Sequence, residues 1–376
     1  MPCLTSLTLL FTLAAGCIAQ SINELLSGVP ELSNFTSLAL TDPGFIATLS
    51  GASNITILAP NNQALKAVPA YITDHADHVR ALLDYHVLNG TYRSGDFGDE
   101  PKFWPTLLTH PHFVNLTVGE KQVVKAARMG DHGTVYSGLD RPAMVSRADM
   151  NFNGGLVHII DSALVLPANV STTAISSNLT AVAGALVTSN LAHTVNALSG
   201  ITIFAPSNGA FQAIGNLVGR LSPEELASIL NYHVVPVRAF TVDLTNNQKL
   251  ETAQGGEITV RTSNGDVYVN GAKVITTNII TNNGVIHIID GVLNPNATDD
   301  EPDTGASTQA PAFPSATGSS DVPFTSGVPT PTASGIATSS PTSGTGGQPN
   351  AAASITGSAV IAVIGAVLAL AASMVV

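Results

Sequence analysis

The sequence predicts an α+β fold built twice in tandem, and three observations carry that reading. Three short motifs recur in one order. TILAPNNQAL at Thr56 to Leu65 returns as TIFAPSNGAF at Thr202 to Phe211, and ALLDYHVL at Ala81 to Leu88 returns as SILNYHVV at Ser228 to Val235. GGLVHIIDSALVLP at Gly154 to Pro167 returns as NGVIHIIDGVLNP at Asn283 to Pro295. Within each copy, helical periodicity comes early and strand patterning late, which separates the element types along the chain. Each copy spans well over a hundred residues, the size of a domain rather than of a solenoid repeat.

The repeat spacing locates a length difference. The prolines at 60 and 206 stand 146 apart, the histidines at 86 and 233 stand 147 apart, and those at 158 and 287 stand 129 apart. The first copy therefore carries about 18 extra residues beyond its Tyr-His pair. The stretch Thr91 to His112, rich in Pro, Gly and aromatics and holding Trp104, is the expected insertion.

From the N-terminus, Leu4 to Ala19 is a short apolar run ending in small residues, with Cys17 and Ala19 at −3 and −1 to a cut before Gln20. It reads as a secretory signal peptide over residues 1–19. Cys3 and Cys17 are the chain's two cysteines, so the processed protein has no thiol. That excludes a disulfide scaffold, a thiolate metal site and a cysteine nucleophile.

The first copy occupies residues 20–167 and the second 168–295. Ile55 to Ala59 and Ile201 to Ala205 are short buried strands, each ended by a proline that lacks a ladder donor. Asn61 or Asn62, and Ser207-Asn208, then cap a helix. Ser222-Pro223-Glu224-Glu225 is a capping box with proline at the first helical position. The helix it opens puts Leu226, Ile229, Leu230 and His233 on one face, and Val79, Leu82, Leu83 and His86 repeat the pattern. The histidine of each pair thus lies on the core stripe. Tyr85 and Tyr232, about 100° away around the helix, are expected at its half-covered edge. Asn264-Gly265, between alternating runs, predicts a hairpin. LVHIID and VIHIID close each copy as apolar strands.

Beyond Pro295 the composition shifts to Ser, Thr, Pro, Gly and Ala, and large apolar residues are few besides Phe313 and Phe324. Residues 296–350 are expected to form a disordered, O-glycosylated stalk, since such a composition buries too little surface to offset its ordering entropy. The terminal run Ala359 to Val376 is apolar, and no Lys or Arg follows Lys273. Small residues at Asn350-Ala351-Ala352, a polar spacer and an apolar tail form a lipid-attachment signal, with Asn350 as the GPI acceptor, Gly344, Gly346 or Gly347 as alternatives, and 351–376 as the propeptide. Sequons stand at Asn34, Asn54, Asn89, Asn115, Asn169, Asn178 and Asn296, candidate N-glycosylation sites in a secreted chain.

Net charge is −12, with charged residues at 11% of the chain, so phosphate neutralisation of a nucleic acid is excluded as a function. His158 and Asp161, like His287 and Asp290, lie three apart on strands and point to opposite faces, so neither pair forms a catalytic dyad. Asp74-His75 and Asp77-His78 fit either a metal site on one helical turn or a solvated helix start. His110-Pro111-His112 lies in the expected insertion. Phosphate-loop, nucleophile-elbow and HExxH patterns are absent from the sequence. No catalysis and no cofactor are expected.

The ordered boxes resemble the fasciclin-domain family. Thr202 to Phe211 is similar to that family's first box, Tyr232-His233 to its central pair, and Asn283 to Leu293 to its second box. The first copy is looser, with Leu58 and Leu65 where the family has Phe. The resemblance covers roughly Ser21 to Pro295. It implies two tandem domains, each a two-sheet β wedge with helices at one edge, and extracellular adhesion or matrix roles, often with a GPI anchor. It also places adhesion near Tyr85, His86, Tyr232 and His233, for which ordering the helix–strand junction is the competing role. The expectation is a non-catalytic protein of the outer plasma-membrane face or cell wall, partnered by wall or surface proteins and polysaccharides and by the membrane through its lipid. The alternative is a vacuolar or endomembrane lumenal protein acting in trafficking or fusion.

Overall fold

The structure, a computed structural model, describes residues 20–298 and 300–329. The expected leader, the Asn350 acceptor and the segment 351–376 lie outside the described residues.

In the first domain, helices α1 (Ile22–Ser27), α2 (Ser33–Leu40) and α3 (Pro43–Gly51) lead into strand β1 (Ile55–Pro60). Helices α4 (Asn62–Lys66), α5 (Ala70–Thr73) and α6 (Ala76–Tyr85) follow. Then come β2 (Val87–Asn89), β3 (Lys102–Pro105), β4 (Val123–Met129), β5 (His132–Tyr136), β6 (Pro142–Phe152) and β7 (Gly155–Ile160). The second domain repeats the order: α7 (Val170–Ser176), α8 (Thr180–Thr188), α9 (Ala192–Ala197), β8 (Ile201–Pro206), α10 (Asn208–Ala213), α11 (Gly215–Val218) and α12 (Pro223–Tyr232). Its remaining strands are β9 (Val234–Val235), β10 (Lys249–Glu251), β11 (Glu257–Ser263), β12 (Asp266–Val269), β13 (Ala272–Thr281) and β14 (Gly284–Ile289). This is the α+β architecture of two tandem domains that the repeat predicts.

Each domain has one seven-stranded sheet, ordered β2-β1-β7-β6-β5-β4-β3 and β10-β11-β12-β13-β14-β8-β9. The two repeated boxes lie side by side at the centre, β1 parallel to β7 and β8 parallel to β14. Both central pairs are buried on both faces, which is why they read as continuous apolar runs. The long strands β6 and β13 serve both halves of the wedge. Each carries register shifts, between Val145 and Met150 and between Val274 and Ile279, and bulges of this kind bend a strand and turn the sheet back on itself. The ends of the sheet nearly meet. Leu88 bridges Thr106, and the Ala253 N–H donates to the Val234 carbonyl at 2.7 Å.

The helices cover one side of each wedge, and the wedge encloses a second apolar cluster. In the first domain the enclosed cluster gathers Trp104, Tyr85, Phe97 and Leu58. In the second it gathers Tyr232, Phe204, Ile258 and Val269. The capping box at Ser222 forms, with the Glu225 N–H donating to Ser222 Oγ and the Ser222 N–H to Glu225. Asn264 and Gly265, both at positive φ (53° and 86°), make the two-residue turn between β11 and β12.

Two positions differ from expectation. The turn Ser94–Asp96 and strand β3 have counterparts in Thr241–Asp243 and β10, so the extra residues of the first copy fall mainly after Pro105, in 106–122. Trp104 belongs to the common framework, not to an insertion. Part of the expected 296–350 stalk also packs on the second domain. Residues 300–329 form neither helix nor strand, yet Phe313, Ala316, Val322, Phe324 and Val328 pack against the helix-side core of the second domain. Side-chain amides of Gln212, Asn216 and Asn294 add hydrogen bonds to its main chain. Residues 330–350 lie outside the described residues.

Candidate functional site

The Tyr-His pairs stand at the C-terminal ends of α6 and α12, where each histidine is the C-cap. His86 Nδ1 lies 2.7 Å from the Leu82 carbonyl, one turn back, and its Nε2 is 2.9 Å from the Leu164 N–H. A carbonyl only accepts and an N–H only donates, so the tautomer follows: Nδ1–H donates and Nε2 accepts. His233 repeats this with the Ile229 carbonyl (2.7 Å) and the Leu293 N–H (2.9 Å). The pair thus ties the end of the long helix to the chain leaving the second box. Burial pushes both imidazoles down to about 4, well below the ordinary histidine value.

Tyr85 and Tyr232 are fully buried, at 0% exposure, which corrects the expected half-covered position. The stripe is wider than the i, i+3, i+4 pattern implied because the helix is wedged between two clusters. In α12, Leu226, Ile229 and Leu230 meet the helix layer while Tyr232 points into the wedge; in α6, Val79 and Leu83 meet the helix layer while Leu82 and Tyr85 point into the wedge. Tyr85 Oη donates to the Val123 carbonyl (3.2 Å). Tyr232 Oη donates to the Glu257 carbonyl (2.7 Å) and accepts from Asn270 Nδ2 (3.1 Å). Each phenol is thus a cross-brace from helix to sheet.

The second-box histidines build a network that pattern reading missed. His158 Nε2–H donates to the Tyr92 carbonyl (2.7 Å), and its Nδ1 accepts from the Asp149 N–H (3.1 Å). His287 does the same with the Ala239 carbonyl (3.0 Å) and the Asn278 N–H (3.4 Å). Asp149 and Asn278 sit in the bulges at positive φ (57° and 63°), and their side chains hold Ser94 and Thr241 at the following turn. Thr56 and Thr202 receive the Tyr92 and Ala239 N–H groups on their hydroxyls (2.9 and 2.8 Å). The signal available in sequence was spacing, since each bulge residue stands nine positions before its histidine. His287 is pushed to about 4 by burial, and His158 is lowered for the same reason. Asp161 and Asp290 accept from backbone N–H groups of Met144 and Lys273, away from these rings.

At the surface, the 106–122 loop brings His110 and His112 to His75 and His78, with ring centroids 5.1 to 6.4 Å apart along the cluster and Phe113 beneath. Among the described residues no group of His, Cys, Asp and Glu is arranged to hold a metal ion.

The same loop fastens the domains together. The Asn115 N–H donates to the Asn282 carbonyl (2.7 Å), and its Nδ2 reaches the carbonyls of Ala197 and Leu198 (both 3.1 Å). Buried Gln122 donates to the Thr281 carbonyl (3.0 Å). Arg238 pairs with Glu120 at 3.4 Å, and Phe103 stacks on Phe240 with centroids 3.8 Å apart. Of the expected glycan acceptors, Asn34, Asn54, Asn89, Asn178 and Asn296 are exposed. Asn169 is half-buried and caps α7. Asn115 is the discordant one, because a glycan would attach to the nitrogen that spans the two domains.

Comparison with known proteins matches the fasciclin-domain model over residues 30–167 and 177–295. A fasciclin-like arabinogalactan protein of Arthroderma benhamiae is 33% identical over 84% of this chain and 76% of its own length. Fasciclin-like arabinogalactan proteins of Cercospora beticola (31% identical, 75% of this chain and 79% of that one) and Phaeosphaeria nodorum (32%, 76% and 92%) are also similar.

Proposed function

The chain belongs to the fasciclin-domain family, and on that premise we propose that it is a non-catalytic protein of cell adhesion or of cell-wall and matrix organisation. The observation that carries this reading is the inward commitment of the repeated motif residues. Tyr85, His86, His158 and their second-copy equivalents are spent on backbone groups, so the motifs brace each domain from within and leave its outer surface for partners. The expected partners are wall polysaccharides and surface proteins. The names of the fungal relatives join the same domain to arabinogalactan, which suits a chain with exposed sequons and a Ser/Thr/Pro-rich tail. A signal peptide and a GPI lipid at Asn350 would deliver it to the outer plasma-membrane face or wall.

Immunostaining of intact cells before and after phosphatidylinositol-specific phospholipase C tests the placement. Surface signal released by the enzyme is the expected result. Retention in an internal compartment, with no releasable surface signal, would favour the vacuolar alternative and sink the adhesive one.

A further inference from the structure

We propose that the helix face of the second domain is a peptide-binding groove, and that its resident is the chain's own segment 309–329. This stands apart from the adhesive reading. Two glycines shape the groove. Gly184 lies within α8 and Gly215 opens α11, neither at positive φ, so backbone conformation does not demand glycine. Glycine inside a helix costs about 1 kcal/mol relative to alanine. What both positions need is space. A Cβ on Gly184 would overlap the Phe324 carbonyl, and one on Gly215 would overlap the Ser319 hydroxyl.

The groove reads the segment mainly through its main chain. Asn216 Nδ2 and N–H donate to the carbonyls of Ser315 (3.1 Å) and Thr317 (3.2 Å), and Asn216 Oδ1 accepts from the Thr317 N–H (2.8 Å). Gln212 Nε2 donates to the Ser320 carbonyl (3.0 Å), and its own carbonyl accepts from Ser319 (2.9 Å). Asn294 Nδ2 adds the Ala312 carbonyl (2.9 Å). Apolar anchors complete the fit: Phe313 and Phe324 pack on the core, and Phe324 stands edge-on to Phe211 at 5.9 Å. Main-chain bonding with spaced side-chain anchors is how protein grooves hold extended peptides.

Among the described residues the first domain has no counterpart of this groove. Asn62 Oδ1 accepts from the Asn34 N–H as Asn208 Oδ1 accepts from Ala181, which aligns α2 with α8. By that alignment Ser37 replaces Gly184 and is exposed among the described residues. The ligand class that fits is therefore an extended Ser/Thr/Pro-rich peptide with two aromatic anchors and a single acidic residue, Asp321.

The test keeps the full chain and places a specific protease site within residues 302–308. After cleavage the C-terminal fragment should stay bound through gel filtration, and an excess of synthetic peptide 309–329 should displace it. A peptide carrying Phe313→Ala and Phe324→Ala should need about tenfold or more higher concentration, since two apolar anchors are lost. Immediate loss of the fragment, or equal displacement by the alanine peptide, would overturn the proposal. As a second measurement, Gly184→Leu should render residues 309–329 protease-sensitive while the first domain keeps wild-type resistance. Unchanged protection of the segment would likewise count against the groove.

Discussion

Both ring nitrogens of each histidine in the repeated boxes are committed, one donating to a carbonyl and one accepting from an N–H. A second proton would set two N–H groups face to face. His86, His233 and His287 therefore hold folded-state values near 4, while an unfolded histidine titrates at about 6.5. The depressed folded value means that the unfolded chain binds more protons in between. The stabilisation is complete above about pH 6.5 and is lost as pH falls toward 4. Thermal unfolding followed at pH 7.5 and 4.5 should show a clearly lower midpoint in acid. Equal midpoints would mean these imidazoles are solvated. His233→Ala should destabilise the second domain by about 1–3 kcal/mol, because the Ile229 carbonyl and Leu293 N–H lose their partner in the core. Denaturant unfolding measures it, and wild-type stability would remove the histidine from the scaffold.

At the scale of elements, the bulged strands β6 and β13 decide the wedge. Asn278 supplies a left-handed backbone, two bonds to Thr241 and an N–H to His287. Asn278→Ala should cost about 2–3 kcal/mol, and Asn278→Gly should recover about 1 of that by relieving the positive φ. Identical losses in urea melts would show that the side chain alone matters. The sequence made some of these elements plain. β1, β8, α12 and the Asn264-Gly265 turn each rest on a local rule that tertiary packing did not override. The tyrosine's burial was not legible, because periodicity assigns one core face and these helices pack on two. The extra residues read from sequence as Thr91 to His112 rather than 106–122 because the copies share framework but not identity around β3 and β10. Composition hid the docking of 309–329, since two phenylalanines scarcely alter an average.

For the whole molecule, the interdomain fastening governs what a partner meets. Arg238, Phe240, Gln122 and Asn115 act across one seam, so the domains should unfold in a single calorimetric transition. Combining Arg238→Ala with Phe240→Ala should split that transition in two, and a persistent single transition would place the coupling elsewhere. Glycopeptide mapping should find Asn115 unmodified while exposed acceptors such as Asn89 and Asn178 carry glycan. A fully occupied Asn115 would be incompatible with the seam. The central claim is that the repeated motif braces the fold and leaves recognition to the outer surface. Attachment of cells displaying the Tyr85→Phe, Tyr232→Phe double variant, scored on isolated cell wall at equal surface abundance, tests it most directly. Each lost hydroxyl removes about 1 kcal/mol of bracing, which a folded domain tolerates. Wild-type attachment is the predicted result, and loss of attachment by a variant that remains folded would contradict the account.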